Sequence, residues 1–469
     1  MARLTFPFRH EGAQARLARS SHGRRAKRAK PLPAPASDVL FAAARIARMA
    51  SALAVCGAVC GLVAGCWDRR EINQLAMVSV GAVDIVPSDE GPMATAAETK
   101  LGTAKPRFRV TAEFYRPRGG ATAGGDGGDD TGGRRVSVGV GTGWTIAGAV
   151  EELDVKMPRH PYWAHQTASI IGEDLARHGT LELLDLWDRD PEIRRSTLVL
   201  LSRGPAGEIV TRAQSVLEKS LAEEILGISR VAPRSGYGAV PTVHSVLLDI
   251  TGDTACTVIP FITLGPVPEP AEPGPVPQGQ EPKVWTPAVM PTARLTGAGV
   301  LYRDKLVGEL SPRETRGVTW MRNKVPGAVV EVECPGSRSP VALEVTRSSA
   351  QVGVRVKKGA LEGTVKVQLE GNVAEQGGDT DLSTERALAS LESRLAEAVR
   401  NEISEALAKT KSYGTDLAGF GPALHRANPA LWRSMKARWP DEYRRLPVTI
   451  EVKARLRRTG LTLKPPELR

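Results

Sequence analysis

Cysteine is the side chain in this sequence with the most chemistry to offer, and its five copies are unevenly spread. Cys56, Cys60 and Cys66 fall within one apolar run, while Cys256 and Cys334 stand far apart. No C-x-x-C pair occurs, so a zinc or iron–sulfur site has no support in the spacing. Whether Cys256 and Cys334 are paired or are two buried thiols is left open by the sequence. Cys66 differs from the others in what precedes it, Val63-Ala64-Gly65. Small residues there let a chain enter a signal peptidase in extended form, with the following thiol as acceptor for a diacylglyceryl group. This is a complete bacterial lipobox. Cys60 follows Val59 and Cys56 follows Val55, so neither has one.

Other side chains with catalytic potential do not assemble into a recognisable constellation. No G-x-S-x-G elbow, H-E-x-x-H pair or Walker loop is present. In "GVGTGWTIAG" Trp144 stands where a dinucleotide fingerprint needs its third glycine. Five histidines follow the apolar run: His160, His165, His178, His244 and His425. His160 and His165, five apart beside Tyr162 and Trp163, lack helical metal-ligand spacing and read as packing or surface groups. Asp188, Asp190 and Glu192 are interleaved with Arg189, Arg194 and Arg195, which favours mutual ion pairing over acid–base work. "GGDGGDD" resembles one calcium-binding nonapeptide, but a single unrepeated copy reads as loop. These absences weigh against an enzyme, and no cofactor is implied.

Charge divides the chain in the same place. The formal net charge is +11, with a sequence pI near 9.5. Residues 1–48 carry eleven Lys/Arg and two acids, a local +9, and 49–65 carry no charge, leaving +2 from Cys66 onward. So neutral a body has no electrostatic footprint for nucleic acid. The uncharged run 49–64, flanked by Arg45 and Arg48, has the length of a signal-peptide core and is short for a transmembrane helix. The basic stretch before it, "GRRAKRAKPLPAPA", reads as an extended n-region or as sequence upstream of the true start.

Hydrophobic periodicity then outlines the elements. Residues 75–86 read as an apolar strand, and "RFRVTAEFY" as a half-buried one, with Phe108, Val110, Ala112 and Phe114 on one face. Arg116 to Arg135 is too rich in glycine to pack and reads as loop. Ile146, Ala149, Val150 and Leu153 mark a helix, 173–188 and 208–226 read as helical, and "STLVLL" as a strand. The proline-dense stretch 265–292 looks like a domain boundary. Beyond it, 295–310 and 328–369 are β-rich, with a hairpin in "VGVRVKKGALEGTVKVQLEG". Leu388, Leu391, Leu395, Val399, Ile403 and Leu407 predict one long amphipathic helix laid on a sheet, and "VTIEVKARLRR" a closing strand. The fold class is α+β, multi-domain, with antiparallel-rich sheets.

Several blocks carry a family pattern. "GCWDRREINQLAMVSVGAVD" follows the lipobox. "YWAHQTASIIGEDLARHGTLELLDLWDRDPEIRRSTLVLLSRG", "LVGELSPRETRGVTWMRNKVPG" and "YGTDLAGFGPALHRANPALWRSMKARWPDEYRRLPVTIEVKARLRRTG" come after it in order. With them the chain resembles the Ger(x)C family of spore germination lipoproteins, the C subunits of nutrient germinant receptors. The resemblance implies three α/β-type domains after a signal peptide at 1–65. They are an N-terminal domain at 66–205, a middle domain at 206–264 and a C-terminal domain at 293–463, with 265–292 as linker. It implies a non-enzymatic lipoprotein on the outer face of the inner spore membrane, working with a multi-spanning A subunit and a transporter-like B subunit. Of the family's functional positions only the lipidated cysteine carries over, as Cys66. Asp68, Arg69 and Arg70, directly after the anchor, are the candidate partner surface. Rival readings are a solute-binding lipoprotein of a membrane transporter and an anchored envelope hydrolase.

Overall fold

The computed structural model describes residues 36–63, 71–86, 107–115, 136–215, 217–235, 238–265, 291–325, 327–377, 381–382 and 384–458. The chain divides after Arg70 into an amino-terminal unit and a body. In the first, α1 (Ala36–Val63) is a 28-residue helix that contains residues 49–63 of the uncharged run. Its large apolar side chains Phe41, Ile46, Met49, Leu53 and Val55 are exposed. Among the described residues no helix is long and apolar enough to cross a membrane.

The body begins with strands β1 (Leu75–Val86), β2 (Arg107–Tyr115) and β3 (Val136–Gly143), then helix α2 (Ile146–Lys156). Next come β4 (His160–Tyr162), β5 (Ala168–Ile171), α3 (Glu173–His178), α4 (Leu181–Arg189), β6 (Leu198–Ser202), α5 (Ala206–Arg212), α6 (Leu221–Ser235), α7 (Val243–Thr251) and β7 (Cys256–Gly265). The second half runs β8 (Thr292–Tyr302), β9 (Lys305–Leu310), α8 (Pro312–Met321), β10 (Ala328–Glu333), β11 (Pro340–Lys357), β12 (Ala360–Gln376), α9 (Glu385–Tyr413), α10 (Phe420–Ala427), α11 (Pro429–Met435), α12 (Trp439–Arg445) and β13 (Val448–Arg458). The fold is α+β.

Strands β1 to β9 form one mixed sheet in the order β3-β2-β1-β5-β6-β7-β8-β9, with β4 paired to the start of β1. Its centre, β1-β5-β6-β7, is parallel, and both wings are antiparallel. Helices cover both faces. One core joins this sheet to Leu153, Leu175, Leu183, Trp187 and Val246 of α2, α3, α4 and α7, and another joins it to Ala206, Ile209, Val210, Leu221 and Ile225 of α5 and α6. Double coverage corrects one expectation. β2 is buried on both faces, because its polar side lies under a helix layer as well: Arg107, Thr111 and Glu113 are buried, and Ser79 Oγ donates to Glu113 at 2.8 Å.

The expected helix over 208–226 is two helices. Ser220 Oγ accepts from the Glu223 N–H at 3.2 Å and starts a new one, while Gln214 N–H is drawn away to the Pro291 carbonyl at 2.8 Å. The domain cuts expected near 205 and inside 265–292 do not coincide with the sheets. β7 and β8, on either side of the proline-dense stretch, are antiparallel neighbours from Cys256↔Tyr302 to Gly265↔Thr292. That stretch therefore connects two strands of one sheet, which also continues across residue 205.

The second sheet has the order β10-β11-β12-β13, antiparallel except for the parallel pair β12–β13. The predicted hairpin is β11–β12, closed by Lys358 and Gly359 at φ of 50° and 82°, the left-handed pair that a two-residue turn requires. After β12 the chain returns through α9, which is why β13 arrives parallel. α9 has 29 residues, about 43 Å of helix. Its Leu391, Leu395, Val399, Ile403 and Leu407 are buried in a core shared with Leu343, Val365, Val367 and Val452 of the sheet. α8 lies beside α9, with Gly317 against the Glu402 carbonyl and the Ala406 side chain, where no Cβ would fit.

Candidate functional site

Cys66, Ala64, Gly65, Asp68, Arg69 and Arg70 lie outside the described residues, and of Val63 only its place at the end of α1 is described. Cys256 and Cys334 are free, buried thiols, and burial pushes the Cys256 thiol up to about 12, which makes it unreactive. The remaining family-pattern blocks meet in two kinds of place: carboxylates buried in the body, and a cleft at its surface.

Among the described residues four carboxylates are buried, and one of them, Glu113 of β2, accepts the Ser79 hydroxyl described above. Asp84, at the end of β1, accepts from the Ala206 N–H at 2.6 Å and the Gly207 N–H at 2.8 Å at the start of α5. Burial raises its carboxyl above the ordinary range, against the pull of these two hydrogen bonds. Glu402, on the inward face of α9, is held by the Arg316 guanidinium and by Trp320 Nε1 at 2.9 Å, both on α8. The helix α8 that delivers them starts from a capping box in which Ser311 and Glu314 exchange hydrogen bonds, with Pro312 in the first turn.

Asp416 belongs to "DLAGFG", ahead of α10. Its carboxylate accepts from the N–H groups of Gly419 at 2.8 Å, Phe420 at 3.0 Å and Gly421 at 2.5 Å, and from Trp439 Nε1 at 3.1 Å. Burial drives its carboxyl above the ordinary range, opposed by these same donors. The four donors fix the turn into α10 and tie α12 to it. Tyr443 Oη, 2.8 Å from Thr410 Oγ1, and the Trp432–Trp439 pair at 5.2 Å complete this layer. None of these carboxylates has a geometry for proton transfer to an outside molecule. They hold elements in place.

The block 160–193 makes a cleft of about 310 Å³ beside β1. Val83, Val110, Ile146, Leu183, Trp163 and Trp187 form its apolar wall, and Gln166, Ser169, Asp190 and Glu192 contribute polar groups. Ion pairing in "WDRDPEIRR" is partly as expected: Arg195 bonds Asp188 at 2.5 Å, but Arg189 bonds Asp185 at 2.8 Å. Asp190 and Glu192 instead receive backbone N–H groups, from Glu192 at 2.9 Å and Trp163 at 3.2 Å respectively. His160 Nδ1 is 2.9 Å from Asp154 Oδ2, which makes it a partly buried packing group, while His165, its ring 5.7 Å from that of Tyr162, is an exposed surface group.

Comparison with known proteins places these blocks in context. The family described as spore germination protein N-terminal domain matches residues 68–264, and the one described as spore germination B3/GerAC like, C-terminal, matches 296–460. Spore germination protein KC of Bacillus subtilis (strain 168) is 27% identical over 410 residues, covering 86% of this chain and 93% of that protein. Spore germination protein B3 of the same organism is 22% identical over 389 residues, 80% of this chain and 89% of that protein. The crystal structure of the GerBC protein is similar at a TM-score of 0.48 and 16% identity, over 80% of this chain and 97% of that one. With both halves matched in order, the chain belongs to the GerAC-like, or Ger(x)C, family of spore germination proteins.

Proposed function

We propose that this protein is the lipid-anchored C subunit of a spore nutrient germinant receptor and acts without catalysis. One observation carries the reading: the family match begins at residue 68, two positions after the lipobox cysteine Cys66. The body of a germination protein therefore starts where a membrane anchor would end. The exposed apolar side chains of α1 suit a segment made for a signal peptidase's membrane and not for a core. A diacylglyceryl group on Cys66, with its two acyl chains, would hold the body stably at the surface, where one chain alone is marginal. Tethering raises the effective concentration of membrane partners, so modest interfaces suffice for assembly.

In this reading the body joins a multi-spanning A subunit and a transporter-like B subunit on the outer face of the inner spore membrane. Asp68, Arg69 and Arg70 lie at the membrane surface as part of the contact. A non-catalytic role is supported by how these buried carboxylates are used, since Asp84, Glu402 and Asp416 are each taken up by internal donors. Purifying the tagged chain from spore membranes tests the proposal. Two multi-spanning polypeptides should accompany it, and Asp68, Arg69 and Arg70 changed together to Ala should weaken their recovery. Recovery of the chain alone, with nutrient response unchanged on its deletion, contradicts the proposal.

A further inference from the structure

The cleft of the 160–193 block is not used by anything described above, and its construction differs from a packing defect. Its depth is set by Gly81 of β1: a Cβ there would stand 2.7 Å from Gln166 Nε2 and 2.9 Å from the Trp163 ring. The floor is apolar, with Trp187 and Leu183 almost wholly buried, while Ala147 and Pro191 at its edge are exposed, so the space opens to solvent. At about 310 Å³ it has the volume of a small ligand site, and its apolar wall with few polar groups is the usual make-up of one.

The polar groups select by charge. Asp190 and Glu192 both line the cleft; among the described residues no Lys or Arg does, and the one histidine on the lining, His160, is engaged by Asp154 at 2.9 Å. One oxygen of each carboxylate, Asp190 Oδ1 and Glu192 Oε2, accepts a backbone N–H, which fixes its position. Among the described residues the second oxygen of each accepts no hydrogen bond. Two oriented carboxylates beside an indole suit an ammonium group, through charge-assisted hydrogen bonds and the face of Trp163. They repel an anion. The buried Ser169 hydroxyl on the lining gives a further neutral polar contact.

We infer that this cleft binds a small organic ammonium compound, its hydrocarbon body against Trp187 and Leu183 and its ammonium group at Asp190 and Glu192. The chain thus carries a ligand site of its own, independent of any partner subunit.

Titration calorimetry on the full chain in lipid nanodiscs tests this with three probes of one shape: 3-methylbutylamine, 3-methylbutan-1-ol and 3-methylbutanoate. Saturable binding of the amine is expected, with the alcohol weaker and the carboxylate weakest. Glu192→Gln and Asp190→Asn keep the acceptors for their backbone donors. Each should weaken the amine by about tenfold and leave the alcohol unchanged. Gly81→Ala, which crowds Gln166 and Trp163 into the space, should weaken all three. If that variant does not fold, the two rim variants still decide. No saturable amine binding, equal binding of all three probes, or amine binding indifferent to both rim variants overturns the inference.

Discussion

The layer around Asp416 and the cleft beside Asp190 and Glu192 are built from equally characteristic stretches of sequence, yet they spend their carboxylates differently. Asp416 is enclosed and receives four N–H donors, three of them from the turn it starts. Asp190 and Glu192 are half-buried and receive one backbone donor each. A carboxylate saturated by internal donors is a fastener, because an unmade hydrogen bond inside a protein costs far more than a made one returns. A carboxylate positioned by one oxygen and left open at the other is available. A distinctive motif, then, need not be a reactive one.

The sharpest way to break this contrast is to remove the fastener. Asp416→Ala strands three N–H groups and the Trp439 indole in a buried interior, and should destabilise the body by about 3–5 kcal/mol, read as a large loss in the urea midpoint. Glu402→Ala should cost somewhat less, about 3 kcal/mol, because Arg316 keeps 14% side-chain exposure and some access to water. At the other end of the scale, Glu192→Gln keeps the bond to Trp163 and should move stability by less than about 0.5 kcal/mol. A loss from Glu192→Gln as large as that from Asp416→Ala would erase the distinction.

Between these extremes lies a pH-dependent latch. Asp253, after α7, bonds His425 Nδ1 at 2.6 Å on α10 and Lys436 Nζ at 3.4 Å. Burial alone would raise its carboxyl, but the hydrogen bonds and charges of His425 and Lys436 outweigh it and hold it below the usual carboxylate range. A depressed carboxyl contributes stability above its unfolded value near pH 3.9 and loses it as pH falls through the folded one. Asp253→Asn should therefore lower stability at pH 6 by less than about 1 kcal/mol, given the partly exposed partners, and flatten the decline below about pH 4. A decline unchanged by the substitution would place the acid sensitivity elsewhere.

Much of this architecture is written locally. The α9 stripe, the β11–β12 turn at Lys358-Gly359 and the alternation of β13 each follow from short-range periodicity. Asp416 is also within reach, since its backbone donors lie three to five residues on, and Ser311-x-x-Glu314 marks the start of α8. What local pattern cannot supply is pairing across distance. Asp84 meets donors 122 and 123 residues away, and Glu402 meets Arg316 across 86. The cleft needs Gly81, Trp163 and Glu192 from three separate segments. The proline-dense stretch is a further case: it lies between the two family matches, yet its composition says nothing of the pairing between the strands it joins.

The central claim is that the germination-protein body is held at a membrane through Cys66. Mass spectrometry of the amino-terminal peptide of the protein isolated from its native membrane tests it directly. The account predicts a mature chain whose first residue is Cys66, carrying diacylglycerol on its thiol. An uncleaved chain with Cys66 unmodified, or a mature terminus at another residue, would contradict it.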